Sequence, residues 1–190
     1  MYKWCIKNIK EDGNCFYRAI YNSALKAGLL KKIVKKIKVA TATLDEESFI
    51  IGLREDLANR IASGNDYNIS RDIYTYLASV KKEDYRAIME AFPMWAQKAF
   101  IKLPKKLDTF RRKYAKNVAK LNNWVGELEV RLVCEMLARS HIKINIYNTI
   151  PKDTSSLNRK EMHLYNQNEI HYNIIIRRRL VALPIITKTR

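Results

Sequence analysis

The run Asp12-Gly13-Asn14-Cys15-Phe16-Tyr17-Arg18 sets one cysteine between a tight polar turn and the start of an amphipathic stretch. A thiol placed there gains two things. The free N–H groups and dipole of a helix start favour negative charge, which draws the thiol toward the reactive thiolate. The same N–H groups, with those of the turn, can hold an oxyanion. Asp-Gly and Gly-Asn also make turns for purely backbone reasons, and a cysteine after a turn can equally be a small buried side chain. A second segment, His171-Tyr172-Asn173-Ile174-Ile175-Ile176, favours the chemical reading. Its isoleucine run is short and β-branched, as in a buried strand. Positions i and i+2 of a strand share a face, so His171 and Asn173 project together and Tyr172 lies opposite. The Asn173 amide can then hold one ring nitrogen and leave the other toward a partner. A cysteine nucleophile, a histidine base and an orienting asparagine are the parts of thiol acyl transfer.

These residues need a scaffold. Trp4 to Ile9 reads as a short strand leading into the turn, and Cys15 to Lys26 as a helix with Phe16, Ala19, Ile20 and Ala24 on its apolar face. Leu29 to Val39 mixes apolar residues with lysine pairs and reads as a basic helix or a loop. Leu44 to Ala62 is a stronger helix that opens on Asp45-Glu46-Glu47, where acids suit the positive dipole end, and Ser63-Gly64-Asn65 ends it. Further helices are expected over Ser70 to Val80, Lys82 to Phe92, Lys105 to Leu121 (after a break at Pro104) and Glu127 to Ala138. The period then changes to two. Ile142, Ile144 and Ile146 alternate with Lys143, Asn145 and Tyr147 in a strand with one buried face. Thr149 to Arg159 is a polar loop. Met162 to Tyr165 pairs through a turn at Asn166 to Glu169 with the histidine strand.

Other residues compete for the roles. Cys5 falls in a strand and Cys134 on an apolar helix face, both settings for inert thiols. His141 follows a helix, and His163 lies in a strand with no adjacent orienting amide. Asp12 is read mainly as a shaper of the loop, and it is the reserve for the third catalytic role.

Three blocks of this chain resemble the ovarian-tumour (OTU) family of cysteine proteases, which act mainly as deubiquitinases. The blocks are Asp12-Gly13-Asn14-Cys15-Phe16-Tyr17-Arg18, Trp124-Val125-Gly126-Glu127-Leu128-Glu129-Val130 and His171-Tyr172-Asn173, and Leu53-Arg54-Glu55 fits the family's second helix. The resemblance spans roughly Trp4 to Arg177, and Val125 departs from the family's glycine pair. It implies an α+β, papain-type fold: a small, mostly antiparallel sheet packed between helices, in one domain over residues 1–180 with a tail at 181–190. Residues 65–103 look like an extra helical insertion, either packed on the back of the domain or serving as a recognition arm. The resemblance further implies catalysis by Cys15, His171 and Asn173 with Asp12. The oxyanion donors would be the N–H groups of Asp12, Gly13, Asn14 and Cys15. Trp124, Gly126, Glu127 and Tyr172 would contact substrate, with Trp124 read either as a cover over the groove or as core. The implied partner is ubiquitin, polyubiquitin or a ubiquitin-like modifier, met by a monomer that uses no cofactor and no metal. The tail of ubiquitin contains arginine, so the groove should be locally acidic, with Glu127, Glu129 and Asp66 as candidates.

The formal charge is +17, from 36 basic and 19 acidic residues. Such a balance suits nucleic acid or an anionic membrane, yet no nucleic-acid module accompanies it. A solvated basic surface is the simpler reading. An OTU-like scaffold that has lost activity and works through that surface is the alternative function, and a papain-like amidase on another amide is a second. Hydrophobic residues make up 47 %, which excludes general disorder. Three cysteines without paired spacing and three scattered histidines do not suggest a disulfide framework or a metal cluster. No signal-peptide core or bilayer-length apolar run is visible. A cytoplasmic setting is therefore expected, the host cytoplasm if the source is a virus or intracellular pathogen.

Overall fold

The computed structural model describes residues 2–38, 44–79, 103–149, 151, 157–167 and 171–179. They form, in chain order, β1 (Tyr2–Lys7), α1 (Cys15–Ala27), α2 (Leu30–Val34), α3 (Glu46–Ser63), α4 (Tyr67–Ser79), α5 (Leu103–Ala119), α6 (Glu127–Ala138), β2 (Ile144–Tyr147), β3 (Met162–Gln167) and β4 (His171–Arg179). The four strands make one sheet in the order β1-β4-β3-β2. β4 runs antiparallel to both β1 and β3, and β2 runs parallel to β3. The sheet is thus mixed, with two of its three pairings antiparallel. Among the described residues no helix is long and apolar enough to cross a membrane.

The sequence makes α1 half apolar, and that half meets the sheet. Phe16, Ala19, Ile20 and Ala24 are all buried, and α1 lies against β4 and β3. Burial of a side chain such as Ile20 contributes about 2 kcal/mol. Gly28 ends the helix in the left-handed conformation (φ 70°), which a glycine adopts without a Cβ penalty, and its N–H returns to Ala24 and Leu25 carbonyls. α3 starts where Asp45 caps it, accepting the Ser48 N–H at 2.9 Å. Its buried face carries Ile50, Leu53, Leu57 and Ile61, and it packs on α5 and α1.

Some boundaries moved. Pro104 does not break the chain: it sits in the first turn of α5, where its missing N–H costs nothing. Of the stretch Leu29 to Val39, residues 29–38 are described and form only the short α2. There Leu30, Ile33 and Ile37 are buried, while Lys31, Lys32, Lys35 and Lys36 are exposed. α4 begins three residues early, and Ile69 and Ile73 are fully buried. The start of the expected insertion therefore belongs to the core, packed on α3 and α6. The helix expected over Lys82 to Phe92, the hairpin residues 168–170 and the tail 181–190 lie outside the described residues.

Candidate active site

The polar run before α1 folds on itself. The Cys15 N–H donates to the Asp12 carbonyl at 2.9 Å, and the Asp12 N–H donates to the Lys10 carbonyl at 3.1 Å. The Asp12 carboxylate accepts the Asn14 N–H two residues on, at 2.9 Å, the local bond that makes Asp a turn residue. Arg18 grips the same carboxylate from α1 at 3.2 Å and reaches Glu46 of α3 at 3.1 Å. Asp12 therefore shapes the loop, and its carboxylate is engaged there. Gly13 has to be glycine, because a Cβ there would lie 1.9 Å from the Asn122 carbonyl oxygen.

Cys15 opens α1 and is buried. Its sulfur is held by the backbone N–H groups of Tyr172 and Phe16, so the thiol sits at the start of β4. The helix start was expected to lower its pKa. Instead burial pushes the thiol up, and the two N–H bonds only partly offset that, while Asp12 and Glu11 push it further up. Desolvation outweighs the dipole because the sulfur is cut off from water. Cys134 is pushed up to about 11 by burial, as befits an inert thiol.

His171 and Asn173 share a face of β4 as the strand period requires, with Nε2 and Oδ1 3.2 Å apart. The hydrogen-bond network assigns the atoms. The Ile9 N–H can only donate, and it meets the same Asn173 atom at 2.9 Å, so that atom is the oxygen. Asn173 Nδ2 donates in turn to Gln167 at 3.1 Å. His171 Nε2 must then carry a hydrogen, and in the neutral ring the lone pair is on Nδ1. That atom is buried without a hydrogen-bond partner among the described residues. The other histidines are differently placed. His163 uses both ring nitrogens, on the Tyr147 hydroxyl at 3.1 Å and the Asn158 carbonyl at 2.8 Å. His141 is exposed in the turn after α6.

The expected substrate contacts divide. Trp124 is 57 % exposed, so it is not core. With Gly126 and Glu127, both also exposed, it lines a cleft of 390 Å³ to which Tyr114 and Val118 also contribute. The Tyr172 side chain turns the other way, with its ring packed edge-on against Phe16 at 4.9 Å and buried. Strand alternation sends its ring to the α1 side, while its N–H meets the Cys15 sulfur. Its hydroxyl is pushed up to about 12, by burial first and then by the nearby Cys15, Cys134 and Glu127. Of the three acids proposed for the groove, two are occupied. Asp66 is held by Arg139 at 2.8 and 2.6 Å. Glu129 is buried, accepting from the Tyr17 hydroxyl and facing Arg54 at 3.5 Å.

Expected oxyanion donors have partners within the loop. The N–H groups of Asp12, Asn14 and Cys15 are all engaged inside the loop. A short polar turn satisfies its own backbone when nothing else is bound.

Sequence reasoning gave no role to Ile9, placed Arg54 only within a helix block, and read Glu129 as a groove acid rather than a buried partner of Arg54. Ile9 acts through its backbone, which no side-chain pattern reveals. Arg54 and Glu129 did carry a signal. Each puts a charge on the apolar stripe of its helix, Arg54 with Ile50, Leu53, Leu57 and Ile61, and Glu129 with Leu132, Val133 and Met136.

No curated protein matches the chain. The family model described as "OTU-like cysteine protease" matches residues 10–181. That span runs from the turn that presents Cys15 to beyond the strand that carries His171, and on it the chain belongs to the OTU-like cysteine protease family.

Proposed function

We propose that this protein is a deubiquitinase that hydrolyses the isopeptide or peptide bond at the C-terminus of ubiquitin or a ubiquitin-like modifier. The observation that carries the reading is the pairing at the start of β4. His171 is oriented by Asn173 with Nδ1 open, and the next residue, Tyr172, holds the Cys15 sulfur through its N–H.

His171 Nδ1 takes the thiol proton as Cys15 attacks the carbonyl carbon. A neutral thiol at rest makes this transfer a required step. The carbonyl π electrons move to oxygen, and N–H groups of the loop stabilise that charge. An oxyanion is a stronger acceptor than the backbone carbonyls that hold the Asp12 and Cys15 N–H groups at rest, and it competes for the Asn14 N–H with an Asp12 carboxylate already paired to Arg18. Collapse expels the lysine amine, protonated by His171, and leaves a thioester. Water deprotonated by the same ring then releases the acid and the thiol. The sequence uses no metal or cofactor. Trp124, Gly126 and the open carboxylate of Glu127 are the proposed contacts for an arginine-bearing substrate tail, and a reducing cytoplasmic compartment is the proposed setting for the free thiol.

Incubation with ubiquitin bearing a C-terminal electrophile, beside the same probe on ubiquitin-like modifiers, tests this. A covalent adduct that disappears in Cys15→Ala supports it. No adduct with any modifier, together with retention on nucleic acid at physiological salt, would favour the inactive basic scaffold, whose lysines on α2 are exposed.

A further inference from the structure

The side chain of Arg54 is fully buried, and its guanidinium bonds to five acceptors on four segments of the fold. Nε donates to Asn14 Oδ1 at 3.1 Å, and Nη2 to the carbonyls of Gly13 at 2.8 Å and Asn123 at 2.7 Å. Nη1 reaches the Val118 carbonyl at 2.8 Å and Glu129 at 3.5 Å. The plane lies over the Tyr17 ring, 4.3 Å from its centre. Removing a charge from water costs several kcal/mol, and only near-complete hydrogen bonding offsets it. What the arrangement holds is informative. Gly13 and Asn14 share one peptide unit of the nucleophile loop. Its oxygen is fixed by Arg54 and its N–H by Asp12. Glycine can rotate such a unit at little cost. A carbonyl bonded to a buried guanidinium cannot swing toward the place where negative charge develops. The same guanidinium holds Asn123, the neighbour of Trp124, so loop and cleft are fixed to one group.

We propose that Arg54 is a positioning residue for oxyanion stabilisation: it orients the Gly13–Asn14 peptide and ties the Trp124 segment to it. The proposal rests on the thiol-protease reading above. Lysine cannot replace it, because one ammonium lacks the planar fork that serves several directions at once.

Two reactions of Cys15 separate this role from mere stability. Capture of a short peptide aldehyde ending in glycinal forms a tetrahedral adduct with an oxyanion. Alkylation by chloroacetamide, followed at Cys15 by peptide mass mapping, forms none. In Arg54→Lys, aldehyde affinity should fall by about 10-fold or more. The alkylation rate should stay within about 3-fold, since the thiol and His171 are untouched. Asn14→Ala removes the side-chain link while keeping Arg54. It should shift the same ratio in the same direction, and it decides the matter if Arg54→Lys does not fold. Equal loss in both reactions, or loss in neither, overturns the proposal. Wild-type protein that captures the aldehyde but leaves ubiquitin conjugates intact counts against the substrate reading alone.

Discussion

Asn173 Oδ1 lies 3.2 Å from His171 Nε2 and at the same time accepts the Ile9 N–H at 2.9 Å. The amide is fixed by a backbone donor before it orients the ring. Asn173→Ala should therefore lower kcat by about 10- to 100-fold, the scale of a misoriented general base, with KM little changed. Steady-state kinetics on a fluorogenic ubiquitin amide checks this. An unchanged kcat would reopen the third role, and Asp12 is poorly placed to fill it while Asn14 and Arg18 hold its carboxylate.

Cys15→Ala and His171→Ala should each abolish turnover while the folding transition survives. Cys134→Ala should keep its activity and lose about 1 kcal/mol at most from the volume vacated. Cys5→Ala should also stay active. Turnover by Cys15→Ala, measured against wild type, would sink the mechanism.

Burial raises the Cys15 thiol above its ordinary value. At neutral pH the resting enzyme is then mostly thiol. Chloroacetamide alkylation of Cys15 should keep climbing with pH through and beyond the ordinary thiol range. A rate already flat near neutral pH would mean a thiolate–imidazolium pair at rest.

Glu129 is raised from 4.5 to about 7, by burial first, against the opposing pull of the Tyr17 hydrogen bond and of Arg54. Between those pH values the folded chain keeps a proton that the unfolded chain has released. Stability contributed by this group is thus fully present below the unfolded value and falls as pH rises through the window, by about 3 kcal/mol in all. Glu129→Gln lacks the titration. Melting curves of the two proteins should diverge across this range, with wild type losing ground toward neutral pH; parallel curves would refute it.

Lys31 and Lys32 on α2, and Lys35 and Lys36 just after it, have exposed side chains. Neutralising them should hardly change cleavage of a small ubiquitin substrate at moderate salt, where exposed charges beyond about 10 Å are screened. A large rise in KM would place that face in the substrate site.

The elements were legible because their periods are strong. α6 matches its expected residues, and α1 and α3 fall within two, since apolar spacing and caps mark them. The pairing of His171 with Asn173 followed from strand alternation alone. What escaped depends on contacts between distant segments. The inward turn of Glu129 is fixed by Tyr17 and Arg54, and a sequence displays neither neighbour beside it. The raised thiol of Cys15 is likewise a property of the packing above it. Local rules foresaw the dipole that lowers its pKa but not the burial that wins.

The bond from Ile9 to Asn173 joins residues 164 apart in sequence. Cys15 comes with α1 and His171 with β4, which β1 must then pair with to bring Ile9 into place. A chain still emerging from the ribosome thus carries the thiol long before it carries the imidazole. On the mechanism proposed above, cleavage has to wait until both segments are made and paired.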